Sequence, residues 1–417
     1  MENAGKSSEA ADRLVAIDYL KGIGVMWFTF GHNMIYWEDH TWRSLFSLLA
    51  LTMDWTGPGL FIAFTVLGTL ISIRRRMVAG NTQGMFKNAL VKSSFLLIIG
   101  EILNAVINSM NSGSLGIWHI FGANMITDVA LAQLLTYGLV KLTMKARSLL
   151  LVMLCILYPI LLVTCLNGIT YDPDAGYIVM TLSDLSKPAY IIYYLLFYLD
   201  AMSPTMSWLI TAVLASILFE LFTNTYTSTS DMSFDIDAQK IQARKLILLG
   251  CLAIIIAILA GGFVLFRGLG MSGWEYDFLV TNDPLRFYTL SGLPLILVRH
   301  VPQCLIFNAG ILVLVFGLLH YNAVVKQKRL IGQTSISHLG KYSFSLFIYG
   351  YVFGLVNIKI PFYIFFPLNV AIITAMIVLV NIWDAKAHGI GSIEWFYTKY
   401  VMYVSIGLNA LKARKKS

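Results

Sequence analysis

Long apolar blocks separated by short polar segments dominate this sequence. Each block is close to the about 20 residues that a helix needs to cross the hydrocarbon core of a bilayer. None shows the period of two that a barrel strand requires. The pattern predicts an all-α polytopic membrane protein with about 10 transmembrane helices, in a range of about 10–12. The blocks occupy residues 14–37, 52–73, 90–109, 120–140, 149–166, 205–223, 246–266, 303–321, 338–357 and 361–383.

The basic residues orient these predicted helices. Lys and Arg cluster after the second, fourth and eighth blocks, before the seventh block and at the carboxyl end. The positive-inside rule makes that side of the membrane cytosolic, and both termini lie on it. The basic residues left on the outer side are Arg43, Lys187, Arg267, Arg286, Arg299 and Lys359.

This topology predicts a polar cytosolic tail at 1–12, a single transmembrane domain at 13–403 and a basic cytosolic tail at 404–417. No small-residue cleavage site follows the first block, so we expect a retained span rather than a signal peptide. The short aromatic segment 186–202 is predicted to lie at the interface. A span there would move the basic residues at 240–245 to the outer side.

Composition excludes several classes of protein. Hydrophobic residues make up 58% of the 417 residues and charged residues only 12%, whereas soluble domains carry about 25% charge. A soluble enzyme, a disordered chain and a secreted disulfide scaffold are therefore excluded. The net charge of +8 does not indicate a nucleic-acid partner, because membrane proteins concentrate Lys and Arg on their cytosolic face, as this chain is predicted to do.

Short motifs narrow the chemistry further. The chain has no Walker A motif, no HExxH, no CxxC and no dinucleotide-binding glycine motif after a predicted strand. We therefore expect neither ATP hydrolysis nor a metal site. No Asn-x-Ser/Thr sequon occurs, which favours a prokaryotic cell membrane over a glycosylating lumen.

Ionisable side chains in the first block are the leading candidates for chemistry. Asp18 and Lys21 lie three residues apart near its cytosolic end, where they can pair on one helix face. His32 lies about 16 Å further along the axis. An ionisable group at that depth is costly unless it has a partner or faces a water-filled cavity. A buried core imidazole and a functional histidine both fit that position, and His40 follows just outside the block.

Further candidates lie at the ends of other blocks. Asp54 opens the second block, and His119 and Asn124 open the fourth, so that they could converge with His40 at the outer face. On the cytosolic side the arginines at 74–76 follow the second block. They are either a topology anchor or ligands for the phosphates of an anionic cofactor.

Several segments resemble transmembrane acyltransferases. In RLVAIDYLKGIGVMWFTFGH, Lys21 and His32 are separated by ten residues, which matches the Arg/Lys-x10-His signature of acyltransferase-3 membrane enzymes. With IYWEDHTWRSL and DWTGPGLFIAFTVLG, the same run resembles the heparan-α-glucosaminide N-acetyltransferase family more closely. LIIGEILNAVINSM, GIWHIFGANMITDVALAQLL and LGKYSFSLFIYGYVF fit later spans of that family. HGIGSIEWFYTKYV resembles the Gly-Pro-Leu-Glu-Trp ending of related bacterial membrane proteins.

The resemblance implies an activity. Such enzymes transfer an acyl group from cytosolic acetyl-CoA, as co-substrate, to a sugar or glycan on the other side of the membrane, and relatives suggest a homodimer. His40 falls at the catalytic histidine of the glucosaminide family, after an aromatic pair matched by Tyr36 and Trp37, with a gap of one residue. His32 falls at the acyltransferase-3 histidine. Both histidines therefore stay catalytic candidates.

Acyl transfer chemistry assigns roles to the other candidates. A histidine acts as base or as transient acyl carrier, and an asparagine amide, from Asn33 or Asn124, can donate to the oxyanion. Asp54 is expected to orient the histidine. The CoA phosphates are expected at Lys21, Arg74, Arg75 and Arg76, and the acceptor at His119, Asn124 and Trp37.

Another class of function stays open. A proton-coupled secondary transporter or exporter of a small metabolite would use intramembrane ionisable residues as a proton relay. Against it, the two halves of the chain show no repeat of the charged pattern. The residues available for such a relay are Asp18, His32, Glu101 and Asp128.

Overall fold

Helices account for nearly all of the structure, a computed structural model. It describes residues 15–37, 53–80, 84–112, 125–166, 171–172, 177–178, 205–226, 236–266, 293–297, 301–354 and 358–414. The helices are α1 (Val15–Trp37), α2 (Pro58–Val78), α3 (Met85–Ser112), α4 (Met125–Leu139), α5 (Met144–Leu166), α6 (Thr205–Tyr226), α7 (Ile236–Ala257), α8 (Pro302–His320), α9 (Gln333–Lys341), α10 (Ser343–Gly354), α11 (Phe362–Ala387) and α12 (Ile393–Arg414). Single π-helical turns, Ile258–Gly262 and Tyr321–Val325, continue α7 and α8.

Within the described residues, two short antiparallel strand pairs depart from the expected all-α architecture. The strand β1 (Tyr171–Asp172) pairs antiparallel with β2 (Tyr177–Ile178). The strand β3 (Leu265–Phe266) pairs antiparallel with β4 (Leu293–Pro294). Each of these strands has only two residues.

Each predicted apolar block overlaps at least one helix. Five helical segments in the described residues are long and apolar enough to cross a membrane. The helices α4 and part of α6, Trp208–Glu220, are apolar but shorter. The structure thus supports a helical membrane protein, while the count of about ten spans stays a prediction. The five segments are Met85–Val106, Met144–Leu161, Ile236–Gly262, Pro302–Val325 and Phe362–Ala387.

Large apolar side chains are exposed along these segments. Leu248 of α7 and Leu379 of α11 are 69% and 64% exposed, and Ile98 of α3 and Ile156 of α5 are exposed as well. Soluble proteins rarely expose such side chains in rows along a helix. A helix can meet lipid in this way because its backbone polar groups are satisfied internally.

The chain divides into two compact units. Unit 1 comprises Met1–Trp42, Asp231–Gly250 and Leu312–Lys399, and unit 2 comprises Arg43–Ser230, Cys251–Ile311 and Tyr400–Ser417.

In unit 1, α1 and α9 approach each other at backbone distance. A Cβ atom on Gly22 of α1 would overlap the carbonyl oxygen of Ile336 in α9. In the reverse direction, a Cβ on Gly340 of α9 would overlap the carbonyl oxygen of Asp18 in α1. Small residues allow this close packing of helices in a membrane protein.

In unit 2, the core forms between α2, α4 and α6. Leu60, Ile62 and Phe64 of α2 are fully buried, and the ring of Phe64 lies 6.3 Å from that of Phe219 in α6. A Cβ on Gly59 of α2 would meet Trp208 of α6 in ordinary van der Waals contact. Apolar packing around the first turns of α2 therefore forms this core.

Two features differ from the sequence prediction. The ninth block, expected as one span at 338–357, is divided at Tyr342 into α9 and α10. The helix α10 has 12 residues and would rise only about 18 Å. The helix α12 runs from Ile393 past residue 404, where the basic tail was expected to begin. The segment 186–202 lies outside the described residues.

Candidate functional site

His32 on α1 has a defined orientation in unit 1. Its Nδ1 lies 3.1 Å from the backbone carbonyl oxygen of Phe28, one turn earlier in the helix. Because a carbonyl only accepts hydrogen bonds, this contact places the ring proton on Nδ1 and the lone pair of the neutral imidazole on Nε2. The ring also lies against Phe28, with centroids 3.8 Å apart, and Phe28 stacks on Phe347 of α10 at 4.1 Å.

Asn33, the next residue, faces α11. Its Nδ2 donates to Oδ1 of Asn369 at 2.8 Å, and both side chains are fully buried. Asn369 was not among the residues predicted for the site. The apolar block 361–383 contains two asparagines, Asn369 and Asn381, and nothing in the sequence indicated the partner of either.

Trp37 and Lys21 lie on the same helix as the histidine. Trp37 is buried at the end of α1, and its backbone carbonyl accepts the N–H of Ile360 at 2.8 Å. Lys21 is half-buried and lies about 16 Å from His32 along the helix axis. Unit 1 therefore carries His32, Asn33, Trp37 and Lys21 on one helix.

The predicted phosphate ligands belong to unit 2. Arg74 forms an ion pair with Glu220 of α6, and Arg147 of α5 donates to the other oxygen of that carboxylate at 2.9 Å. Arg147 also donates to the carbonyl oxygens of Ser216 and Leu142, both at 3.2 Å. Arg74 thus takes part in a structural ion-pair network, whose partners the sequence did not indicate.

The remaining predicted site residues are located by the element that carries them or lie outside the described residues. Arg75 and Arg76 are half-buried in the last turn of α2. Asp54 begins a 3-10 turn, Asp54–Thr56, before α2. His40, His119 and Asn124 lie outside the described residues, so their predicted convergence with Asp54 stays a prediction.

A second polar cluster in unit 1 was missed by the sequence analysis. Asp384 of α11 accepts from Lys341 at 2.6 Å and from the hydroxyl of Tyr342, and it lies 3.3 Å from Nε2 of His338. The Nδ1 of His338 faces Oδ1 of Asn381 at 2.8 Å. These contacts tie the end of α9 and Tyr342 at the break to α11.

Glu394, at the start of α12, binds the residues that follow the break at Tyr342. Its Oε1 accepts the backbone N–H of Phe344 at 2.8 Å, and its Oε2 accepts the hydroxyl of Ser345 at 2.6 Å. Burial raises the pKa of the Glu394 carboxyl above its ordinary value, while hydrogen bonds from Ser345 and Phe344 oppose that rise. The carboxyl thus serves the first turn of α10 as a cap.

The described residues contain no group of three or more His, Cys, Asp or Glu side chains that could hold a metal ion. Among the predicted site residues of unit 1, the group suited to proton transfer or nucleophilic attack is the imidazole of His32, with the amide of Asn33 beside it in the sequence.

Comparisons with known proteins add no family assignment. The likeness to transmembrane acyltransferases accordingly rests on the segments of this sequence alone and stays a prediction. No family model matches the chain, and no curated protein matches it.

Proposed function

We propose that this protein is a membrane-embedded acyltransferase that carries an acetyl group from cytosolic acetyl-CoA to a sugar or glycan acceptor on the outer side. The observation that carries the proposal is the imidazole of His32, whose Nδ1 bonds the carbonyl of Phe28 and whose lone pair is on Nε2. An oriented neutral imidazole within an apolar helix is suited to act as a base or as an acyl carrier.

The proposal includes the predicted topology of about ten spans with both termini in the cytosol. In that topology Lys21 lies near the cytosolic end of α1 and His32 toward the outer half, so the helix connects the acetyl-CoA side with the acceptor side. The distance between them, about 16 Å along the axis, is one that an extended pantetheine arm can cover. The distribution of Lys and Arg supports this orientation.

The chemical step is an exchange of an acyl group between sulfur and the acceptor. Nε2 of His32 takes the proton of the acceptor hydroxyl or amine as that oxygen or nitrogen bonds to the thioester carbon. The carbon–sulfur bond then breaks, and the same proton passes to the CoA thiolate to give the free thiol. His40 is the alternative base, because the resemblance assigns a histidine to each position.

The phosphates of CoA are assigned to basic side chains at the cytosolic ends of helices. Arg74 forms an ion pair with Glu220, and Arg75 and Arg76 follow it in the last turn of α2; in the proposal this basic turn binds the phosphates. Guanidinium groups bind phosphate in bidentate geometry, which suits a dianionic ligand.

Thiol release from acetyl-CoA by purified protein in liposomes tests the function. Acetyl-CoA is added on the cytosolic face with a panel of amino sugars inside, and His32→Ala and His40→Ala are compared with the wild type. The variant that lacks the general base should release thiol about 100-fold more slowly, or slower still. His388→Asn is the matched control, because His388 is exposed at a left-handed position that asparagine tolerates.

The alternative function predicts a different result. A proton-coupled transporter would release no thiol but would move protons across the liposome when its substrate is supplied. The buried carboxyls of Asp18 and Asp128 supply the observation in its favour. Absence of thiol release above empty liposomes, with no CoA binding by calorimetry, would sink the acyltransferase proposal.

A further inference from the structure

A chain of hydrogen bonds determines which way the amide of Asn33 points. The Nδ2 of Asn369 lies 3.5 Å from the backbone carbonyl oxygen of Phe365, one turn earlier in α11. Since a carbonyl only accepts, this contact turns Oδ1 of Asn369 toward α1. Asn33 therefore presents its Nδ2 to Asn369, at 2.8 Å, and its own Oδ1 points away from that bond.

The Oδ1 of Asn33 is an acceptor without a donor. It is fully buried and receives no hydrogen bond within the described part of the chain. Two other contacts join α1 and α11: Phe30 lies edge-on to Phe365 at 5.7 Å, and the hydroxyl of Thr29 lies 3.9 Å from the sulfur of Met376. Buried polar atoms in proteins are almost always paired, so this oxygen calls for a donor from a bound molecule.

The position of this oxygen relates it to the proposed chemistry. Asn33 follows His32 directly, so their Cα atoms are about 3.8 Å apart and their side chains diverge by about 100° around α1. His32 lies toward α10 through Phe28 and Phe347, and Asn33 lies toward α11. The two side chains therefore leave adjacent positions of α1 toward the neighbouring helices α10 and α11.

We propose that Asn369 is a positioning residue that orients Asn33 so that its Oδ1 accepts a hydrogen bond from an N–H or O–H group of a reactant at His32. This inference rests on the proposed acyl transfer. It changes the role expected for Asn33 from oxyanion donor to acceptor, because its Nδ2 is engaged by Asn369. The donor is either an amide N–H of the pantetheine arm or the hydroxyl or amine of the acyl acceptor.

Variants of Asn369 separate positioning from packing. Asn369→Leu has a similar size but removes the acceptor that holds Nδ2 of Asn33, so the amide of Asn33 loses its fixed direction. Asn369→Asp keeps an acceptor oxygen toward Asn33 and, because burial favours the protonated carboxyl, an O–H donor toward Phe365, so it should behave like the wild type in binding. Asn33→Leu removes the proposed acceptor itself. Thr374→Val, on the same helix with an exposed hydroxyl bonded only within α11, is the matched control.

Two readouts identify the donor. Calorimetry measures the Kd of CoA, which has the pantetheine amides and no acyl group, and thiol release measures the KM of an amino sugar acceptor. Loss of one hydrogen bond to a buried acceptor should weaken binding about tenfold. A tenfold rise in the Kd of CoA in Asn369→Leu and Asn33→Leu identifies the pantetheine amide. A tenfold rise confined to the KM of the amino sugar, with kcat nearly unchanged, identifies the hydroxyl or amine of the sugar as the hydrogen-bond donor.

The inference is overturned if folded Asn369→Leu and Asn33→Leu proteins keep the wild-type Kd and KM. It is also overturned if Asn369→Asp is impaired as much as Asn369→Leu, because the pair would then serve packing alone. Asn369→Ala replaces the leucine variant should that variant not fold. CoA binding that weakens in Asn369→Leu while the wild type releases no thiol would retain the positioning role and reject acyl transfer.

Discussion

The carboxylate of Glu394 caps α10 by accepting the backbone N–H of Phe344 at 2.8 Å. Its second oxygen accepts the hydroxyl of Ser345 at 2.6 Å, and that hydroxyl oxygen accepts the N–H of Ile393 at 2.8 Å. The first N–H groups of a helix have no partner within the helix. The break at Tyr342 creates such an end inside the protein, and Glu394 satisfies it.

Glu394→Ala should destabilise the protein by about 1–3 kcal/mol, because it leaves buried backbone and hydroxyl donors without an acceptor. Glu394→Gln keeps one carbonyl oxygen at this site and should cost less. The melting temperature of the purified protein in detergent measures both effects. Equal melting temperatures for Glu394→Ala and the wild type would contradict the capping role.

The stability should also depend on pH through Glu394. Burial raises the pKa of this carboxyl above its ordinary value of 4.5, so the folded state binds the proton more tightly than the unfolded chain. The stabilisation that comes from this tighter proton binding is fully present below pH 4.5. It is lost as the pH rises through the higher pKa of the folded state. Melting temperatures across this range should fall less in Glu394→Gln than in the wild type. If the melting temperatures of both proteins fall equally, groups other than Glu394 determine the pH dependence of stability.

Contact between α1 and α9 should be sensitive to a single methyl group. Gly340→Ala would place a Cβ against the carbonyl oxygen of Asp18, and Gly22→Ala would place one against that of Ile336. Overpacking of this kind costs about 1–3 kcal/mol. Gly68→Ala is the matched control, because a Cβ there meets nothing within 4 Å in the helix α2. Lower melting temperatures are expected for the first two variants and not for the control.

The carboxylate shared by Arg74 and Arg147 should stabilise unit 2. Glu220→Gln would leave two guanidinium groups close together without their counter-charge, at a cost of about 3–5 kcal/mol. Combining it with Arg147→Met should cost less than the sum of the single changes, since the two residues interact directly. A double-mutant cycle on the melting transition measures this coupling. If the losses of stability in the two single variants simply add in the double variant, the ion pair contributes no coupling energy.

The sequence by itself determined the helical elements and the candidate histidine. Apolar blocks such as 205–223 and 361–383 become helices because a helix satisfies its backbone polar groups within the segment. His32 could be singled out because an ionisable residue in an apolar block is costly and therefore conspicuous. Both inferences depend only on neighbours along the chain.

Only the tertiary structure decided which distant groups meet. Asn33 bonds Asn369, 336 positions away, and Glu394 accepts the N–H of Phe344, 50 positions earlier in the chain. Neither partner has a local signal, because a hydrogen bond between helices is set by their packing and not by spacing along the chain. The split of the ninth block at Tyr342 has the same origin, since its apolar pattern is that of one continuous helix and the break depends on Asp384 and Glu394.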